Sequence, residues 1–284
     1  MSLLVVTAFI VDLLIQSPVP IPVPIKAVQP QIPEIPMVTT SRPRPAVKPF
    51  VVGGVQVDQH QFPFMVSLQF RGEHFCGAAI IGPNHIATAA HCLVDYPLEE
   101  VAIVAGKHDL SLDESTTQIR PIDGISDHEK FNPYYKTAYD LSILTTNEPF
   151  IFNHAVQAIT LFGTFDEEGE ATTIGWGKLD ENDDDSALPN ILNSVNVKVF
   201  SSQTCDFMYG NCVDCPTYLP EAMLCAGNKD LSGGKDACQY DSGGPLVIKR
   251  DGVNYLAGVV SWGVGCGRAE YPGVYARIST LLGR

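Results

Sequence analysis

From residue 51 to the end of the 284-residue chain, short runs rich in β-branched and aromatic residues recur between clusters of Gly, Pro, Asn and Asp. They fall at 64–70, 78–81, 101–105, 195–199, 246–248 and 253–261. Strands so short and so punctuated build a sandwich or a barrel rather than alternating βαβ units. No Gly-x-Gly-x-x-Gly fingerprint or phosphate loop occurs, and helix is expected only in the turn after Ala89 and in the last few residues. The 234 residues beyond position 50 (284 minus 50) are many for one sandwich, so two stacked barrels are the economical architecture.

Composition removes several classes. Hydrophobic residues at 45% and charged residues at 18% exclude disorder for most of the chain. Glycine and proline follow no period and no heptad pattern is sustained, so collagen and coiled coil are excluded. Thirty-two acidic against 18 basic residues give a formal charge of −14. A surface of that sign repels phosphate backbones, so nucleic acid is not an expected ligand and cationic partners are favoured.

The start of the chain differs from the rest. The apolar run 3–15 is too short to span a bilayer and suits the core of a signal peptide, although Asp12 interrupts it and no Lys or Arg precedes it. Residues 1–16 are therefore expected to be a cleaved leader. Ten prolines between Pro18 and Pro49 remove ladder donors and helix geometry together, so 17–50 reads as an extended spacer or pro-segment. A ligand for a proline-reading module is the alternative. No other stretch approaches membrane-spanning length, and the eight cysteines, even in number, suit an oxidising compartment. No Asn-x-Ser/Thr acceptor occurs, so asparagine-linked glycosylation is not expected.

Three distant segments carry chemistry: Thr88-Ala89-Ala90-His91-Cys92, Tyr139-Asp140-Leu141-Ser142, and Asp241-Ser242-Gly243-Gly244-Pro245. A serine hydroxyl becomes a good nucleophile when an imidazole takes its proton and a buried carboxylate holds that imidazole in the useful tautomer. Glycines beside the serine let the backbone turn sharply and a substrate approach closely. Singly, each segment has a structural reading: a packed His, an Asp cap, a Gly-Gly turn. Together, in the order His, Asp, Ser, they point to nucleophilic catalysis.

On these motifs residues 51–275 resemble the chymotrypsin-fold serine proteases of the trypsin-like family. The resemblance implies an all-β domain, 51–284, of two stacked six-stranded Greek-key barrels (about 51–165 and 166–284) with the active site in the cleft between them. It implies His91 as general base, Asp140 as its orienting carboxylate, Ser242 as nucleophile, and the N–H groups of Tyr240 and Ser242 as the oxyanion hole. It also implies the disulfides Cys76–Cys92, Cys205–Cys225 and Cys238–Cys266. Cys212 and Cys215 remain, in a loop longer than is usual for the family; they form either a local bridge or a thiol pair open to metal or exchange, and two cysteines alone make a weak metal site. Asp236 matches the floor of the specificity pocket, where a buried carboxylate selects Arg or Lys. Gly263 and Gly273 match its walls, and Ser261-Trp262-Gly263 the strand that pairs with substrate backbone. Ala237 replaces a hydroxyl often found beside that floor; its loss hurts Lys more than Arg, whose fork satisfies the carboxylate itself.

The chain departs from the family pattern in several places. Tyr240 stands where most relatives have glycine, which narrows specificity beyond the scissile bond. Val51-Val52-Gly53-Gly54 resembles the new N-terminus whose ammonium inserts beside the acidic residue before the nucleophile, here Asp241. Phe50 precedes that bond instead of Arg or Lys, so a separate activating protease with a taste for bulky apolar residues is expected. Where the family closes with a helix, the chain stops at 279–284; either that helix is shortened or the sequence is incomplete. In the loop 107–117, Lys107 and Thr117 occupy positions where calcium ligands would be carboxylates. Pro272 replaces the aromatic residue of sodium-responsive relatives. The acidic run Asp180, Glu181, Asp183, Asp184 and Asp185 is either a solvated turn or an attractor of basic substrates. The expectation is a secreted, monomeric, precursor-activated serine endopeptidase acting on proteins or peptides after Arg, then Lys, with no metal, cofactor or membrane span. A catalytically weak relative serving as a binding protein is the alternative.

Overall fold

The computed structural model describes residues 52–282 apart from 164–166 and 185–187. The expected leader (1–16), the proline-rich segment (17–50), Val51 and Asp185 lie outside the described residues.

A two-residue β1 (Val55–Gln56) is followed by β2 (Met65–Phe70), β3 (Glu73–Gly82), β4 (His85–Thr88), β5 (Val101–Ala105), β6 (Gln118–Pro121), β7 (Gly124–Asp127) and β8 (Ser142–Thr145). β2 to β8 form one curled sheet in the order β6-β5-β2-β3-β4-β8-β7. The expected sixth strand is broken. Its first arm, β6, pairs with β5 and ends at Pro121, which has no N–H to donate; its second, β7, pairs with β8. The two edges are thus joined by the chain itself at Ile122-Asp123, with the Asp123 N–H bonded to the Thr145 carbonyl at 2.8 Å.

The second half holds β9 (Thr160–Leu161), β10 (Gly169–Gly175), β11 (Asn193–Val199), β12 (Met223–Gly227), β13 (Pro245–Arg250), β14 (Val253–Trp262) and β15 (Gly273–Arg277). Here the ladder closes on itself: β10-β13-β14-β15-β12-β11 runs back to β10 as a six-stranded barrel. The architecture is the all-β, two-barrel arrangement expected from the sequence. Two hairpins show how local chemistry sets register. Arg71-Gly72 and Asp251-Gly252 are two-residue connections in which both residues have positive φ, and they pair Phe70 with Glu73 and Arg250 with Val253. That is the turn whose twist matches the flanking strands.

One helix was not anticipated. α1 (Ser202–Gly210) is capped by Ser201, whose hydroxyl accepts the Thr204 N–H at 3.2 Å. Its apolar periodicity is weak, with Cys205 and Tyr209 its buried residues, so the capping serine was the available signal. The chain after Ala89 forms a single 3-10 turn, Ala90–Leu93, and the last described element is another, Ile278–Leu282. Among the described residues no helix is long and apolar enough to cross a membrane.

Leu68, Ile80, Ile86, Ile103, Leu141 and Leu144 fill the first sheet without exposure. Their cluster continues through Ile174, Trp176, Val259 and Ile278 of the second half, so the two halves share one apolar seam. Burying each such Leu or Ile contributes roughly 1.5–3 kcal/mol. The second barrel is filled by Val195, Val197, Leu246, Ile248 and Tyr275.

A buried ion pair at the barrel's end was not legible in the sequence. Arg277 Nη1 meets Glu167 Oε2 at 2.5 Å with both side chains 3% exposed, and Arg277 Nη2 donates to the Met223 carbonyl at 3.0 Å. Desolvation lifts the Glu167 carboxyl above its usual range despite the guanidinium beside it. Glu167→Ala should cost about 3–5 kcal/mol in denaturant melts of the disulfide-intact chain, whereas Glu167→Leu combined with Arg277→Met should cost far less. A neutral single variant would mean that the pair is not desolvated in solution.

Candidate active site

His91 sits on the 3-10 turn after β4, and the disulfide of its neighbour Cys92 to Cys76 ties that turn to β3. Asp140, fully buried just before β8, holds the histidine twice: Oδ1 accepts the His91 backbone N–H at 2.8 Å, and Oδ2 lies 2.6 Å from Nδ1. Ser261 donates its hydroxyl to the same Oδ2 at 2.5 Å. These contacts orient the imidazole: a ring whose Nδ1 faces a carboxylate carries its proton on that nitrogen, which leaves Nε2 as the nitrogen with a lone pair.

Ser242 lies in a tight turn. The Asp241 N–H bonds the Cys238 carbonyl at 3.0 Å and the Gly244 N–H bonds the Asp241 carbonyl at 2.8 Å. Gly243 has φ +75°, and a Cβ there would stand 2.2 Å from Thr88 Oγ1 and 2.4 Å from the Gly77 carbonyl oxygen. Only glycine fits where the turn from one half presses on strands of the other. The Ser242 carbonyl accepts the Gly77 N–H at 2.7 Å across that seam. His91 and Ser242 line one cavity of about 380 Å³, together with Phe75, Tyr96 and Tyr240. Among the described residues only Cys76, His91 and Cys92 gather ligand atoms at metal-binding spacing. Their two sulfurs are bonded to each other, which leaves no thiolate for a metal.

Tyr240 adopts φ +74°, a conformation that side chains rarely take. A partner that sequence reasoning missed holds it there: His74 Nε2 lies 3.0 Å from the Tyr240 carbonyl oxygen, and His74 Nδ1 lies 2.8 Å from Ser67 Oγ. The ring edge also packs on Trp176. Desolvation pushes the His74 pKa down to about 4, so the ring is neutral, with Nε2–H donating to Tyr240 and Nδ1 accepting from Ser67.

Beside Ser242 a second cavity, about 240 Å³, is lined by Asp236, Ala237, Ser261, Trp262, Gly263 and Gly273, and also by Tyr275, which sequence reasoning had not assigned to it. Asp236 is buried at its wall, with Oδ2 accepting the Gly267 N–H at 3.0 Å. The N–H groups of Ala237 and Gly273 help the anion electrostatically, yet Oδ1 makes no well-formed hydrogen bond among the described residues. A Cβ on Gly273 would lie 2.3 Å from that Oδ1. Burial lifts the Asp236 pKa to about 8. Asp241 turns away from the cavity: its oxygens accept the N–H groups of Gly177 at 2.8 Å and Cys238 at 2.9 Å, and burial lifts its pKa to about 7. The segment after Val51 lies close by, since the Asp236 N–H bonds the Val52 carbonyl at 3.2 Å.

The disulfides are Cys76–Cys92, Cys205–Cys225, Cys212–Cys215 and Cys238–Cys266. The pair left open by the sequence is thus a local bridge, and no cysteine is free. In the loop 107–117 the Lys107 ammonium donates to the Leu112 carbonyl, an internal cation bonded to the loop's own backbone.

The raised pKa of Asp236 has a measurable consequence. Below pH 8 a bound amidinium must expel its proton, because only the ionised carboxylate pairs with a cation. Calorimetry at pH 7 in buffers of different ionisation heats should therefore show release approaching one proton per site, fading above pH 8. Asp236→Ala should abolish both the release and most of the affinity. Proton uptake on binding would contradict this electrostatic picture.

The family model described as Trypsin matches residues 51–283. The chain is 37% identical over 235 residues to the vitellin-degrading protease of Bombyx mori, covering 81% of this chain and 82% of that protein. It is 38% identical over 237 residues to trypsin-1 of Astacus astacus, covering 81% and 95%. To hypodermin-A of Hypoderma lineatum it is 37% identical over 233 residues, covering 81% and 83%.

Proposed function

The chain belongs to the trypsin family of serine endopeptidases, and from that premise we propose that Ser242, His91 and Asp140 carry its reaction and that it cuts after arginine, less readily after lysine. The observation that carries the specificity is the incompletely satisfied Asp236 carboxylate, buried in a narrow cavity that Ser242 also lines. An anion so desolvated favours a cationic side chain, and long basic chains alone reach it.

The chemistry follows the family's acyl-enzyme sequence. The substrate's basic side chain enters beside Asp236 and sets the scissile carbonyl over Ser242. His91 Nε2 takes the Ser242 proton as Oγ attacks, and the imidazolium that forms is stabilised by Asp140. The oxyanion is received by the N–H groups of Ser242 and Tyr240. His91 then protonates the leaving amine, and water attacks the acyl-enzyme by the same route in reverse. The hydrogen bonds on both oxygens of Asp140 support this assignment.

Ala237 supports the preference for arginine: with no hydroxyl at position 237, a lysine ammonium loses one acceptor, whereas a guanidinium can fork onto the carboxylate. Matched peptides should therefore be cleaved roughly tenfold more efficiently after Arg than after Lys, and a Lys preference would end this reading. Tyr240 supports narrowed selection beyond the scissile bond, since its ring lines the cavity shared by Ser242 and His91. Tyr240→Gly should raise turnover of extended substrates by roughly tenfold; an unchanged rate would show that the tyrosine is neutral.

The chain is further proposed to be secreted and activated by cleavage before Val51. Four disulfides with no free thiol support an oxidising destination. The buried Asp241, held by two N–H groups and facing no cation among the described residues, supports insertion of a new ammonium there. Phe50 before that bond argues that another protease makes the cut. Purified precursor should stay inactive alone and yield Val51 as its N-terminus when a protease selective for bulky apolar residues is added; self-generated Val51 would overturn the point. Labelling of Ser242 by a serine-directed organophosphonate, in material beginning at Val51, separates an active enzyme from a binding protein.

A further inference from the structure

The acidic run after β10 does something that neither reading of it from sequence describes. Asp180 and Asp183 shape a turn: the Asp180 N–H bonds Asp183 Oδ2 at 3.1 Å, and Asp180 Oδ1 accepts the Asn182 N–H at 2.9 Å. That turn points Glu181 at the rim of the specificity cavity. Its Oε2 accepts the Cys266 backbone N–H at 3.1 Å and Arg268 Nε at 3.1 Å, while Oε1 accepts Arg268 Nη2 at 3.3 Å. The Glu181 side chain is only 27% exposed. Arg268, followed by the Cys266 N–H, holds its carboxyl below the usual range.

The stretch so gripped is the one that meets the substrate-selecting carboxylate. Gly265 and Cys266 line the cavity, and Gly267 between Cys266 and Arg268 donates its N–H to Asp236 at 3.0 Å. The acidic loop's other end is fixed to the opposite wall, where the Lys178 N–H bonds the Gln239 carbonyl at 2.9 Å. The loop therefore spans the same two walls that the Cys238–Cys266 disulfide joins. One bridge is covalent. The other is a carboxylate gathering a fork of guanidinium donors and a backbone N–H, an arrangement that sets geometry as well as charge.

Building on the cationic selectivity argued above, we propose that Glu181 is a positioning residue for substrate recognition. It fixes the 266–268 wall, and hence the N–H offered to Asp236, and it neutralises a guanidinium that would otherwise stand beside a cavity meant for a cation. Released Arg268 would oppose an incoming basic side chain by like charge, and a wall free to shift would loosen the Gly267–Asp236 bond. The predicted defect is in binding, since neither effect touches His91, Asp140 or the Ser242 turn.

The test uses enzyme beginning at Val51 with matched Arg and Lys peptides. Glu181→Ala should raise KM about tenfold with kcat within about twofold. Glu181→Gln should do so more mildly, because its amide oxygen still accepts the Cys266 N–H. Removing the stray charge in Glu181→Ala/Arg268→Ala should recover part of the lost KM, a rescue that plain structural support would not give. An organophosphonate carrying no cation should titrate the same fraction of sites in every variant, which reports folding and the intact nucleophile. Unchanged KM, or kcat and titratable sites falling together, would overturn the role of Glu181 alone. A parent enzyme that cleaves after neutral residues instead would overturn the specificity reading, and this proposal with it.

Discussion

The structure hinges on a turn pressed between two sheets. The backbone of Ser242 and Gly243 is bonded on one side to Gly77 of β3 and on the other to Val260 of β14, at 2.7 and 2.8 Å. Gly243 stands so close to Thr88 and Gly77 that no side chain could replace its hydrogen. Those contacts set Ser242, contributed by the second half, in the cavity that it lines together with His91 of the first. The shared apolar seam through Trp176, Ile174 and Val259 makes the approach favourable, because neither sheet could bury that face alone.

Among the described residues four carboxylates are buried, and each is stabilised differently. Asp140 is satisfied by a backbone N–H, an imidazole and a hydroxyl. Glu167 faces Arg277 and braces the barrel. Asp241 takes two backbone N–H groups, which soften its burial without neutralising it. Asp236 is left with one oxygen poorly bonded, facing a cavity. In a low-dielectric interior an unsatisfied anion is expensive, which is why burial lifts this carboxyl so far.

Much of this was visible before the fold was known. The β-rich runs and the residues of the three motif segments depend on neighbours close in sequence, and local chemistry reports them. α1 was less visible, since its apolar spacing is weak and Ser201 was its main signal. Pro121 was visible as a residue but not as the break that splits a strand between two partners, because that depends on where β5 and β8 lie. His74 carried no signal, since its meaning rests on the Tyr240 carbonyl 166 residues away.

What the sequence determined by itself was local or compositional: short punctuated strands, an even set of cysteines, and a histidine, an aspartate and a serine in motif settings. Tertiary structure alone decided how the charges were matched. Asp140 meets His91 across 49 residues and Ser261 across 121, and Glu181 meets Arg268 across 87. Such pairings depend on hydrogen bonds a few ångströms long between groups far apart in the chain. No periodicity or propensity encodes them; they exist only once the sheets have closed and excluded water.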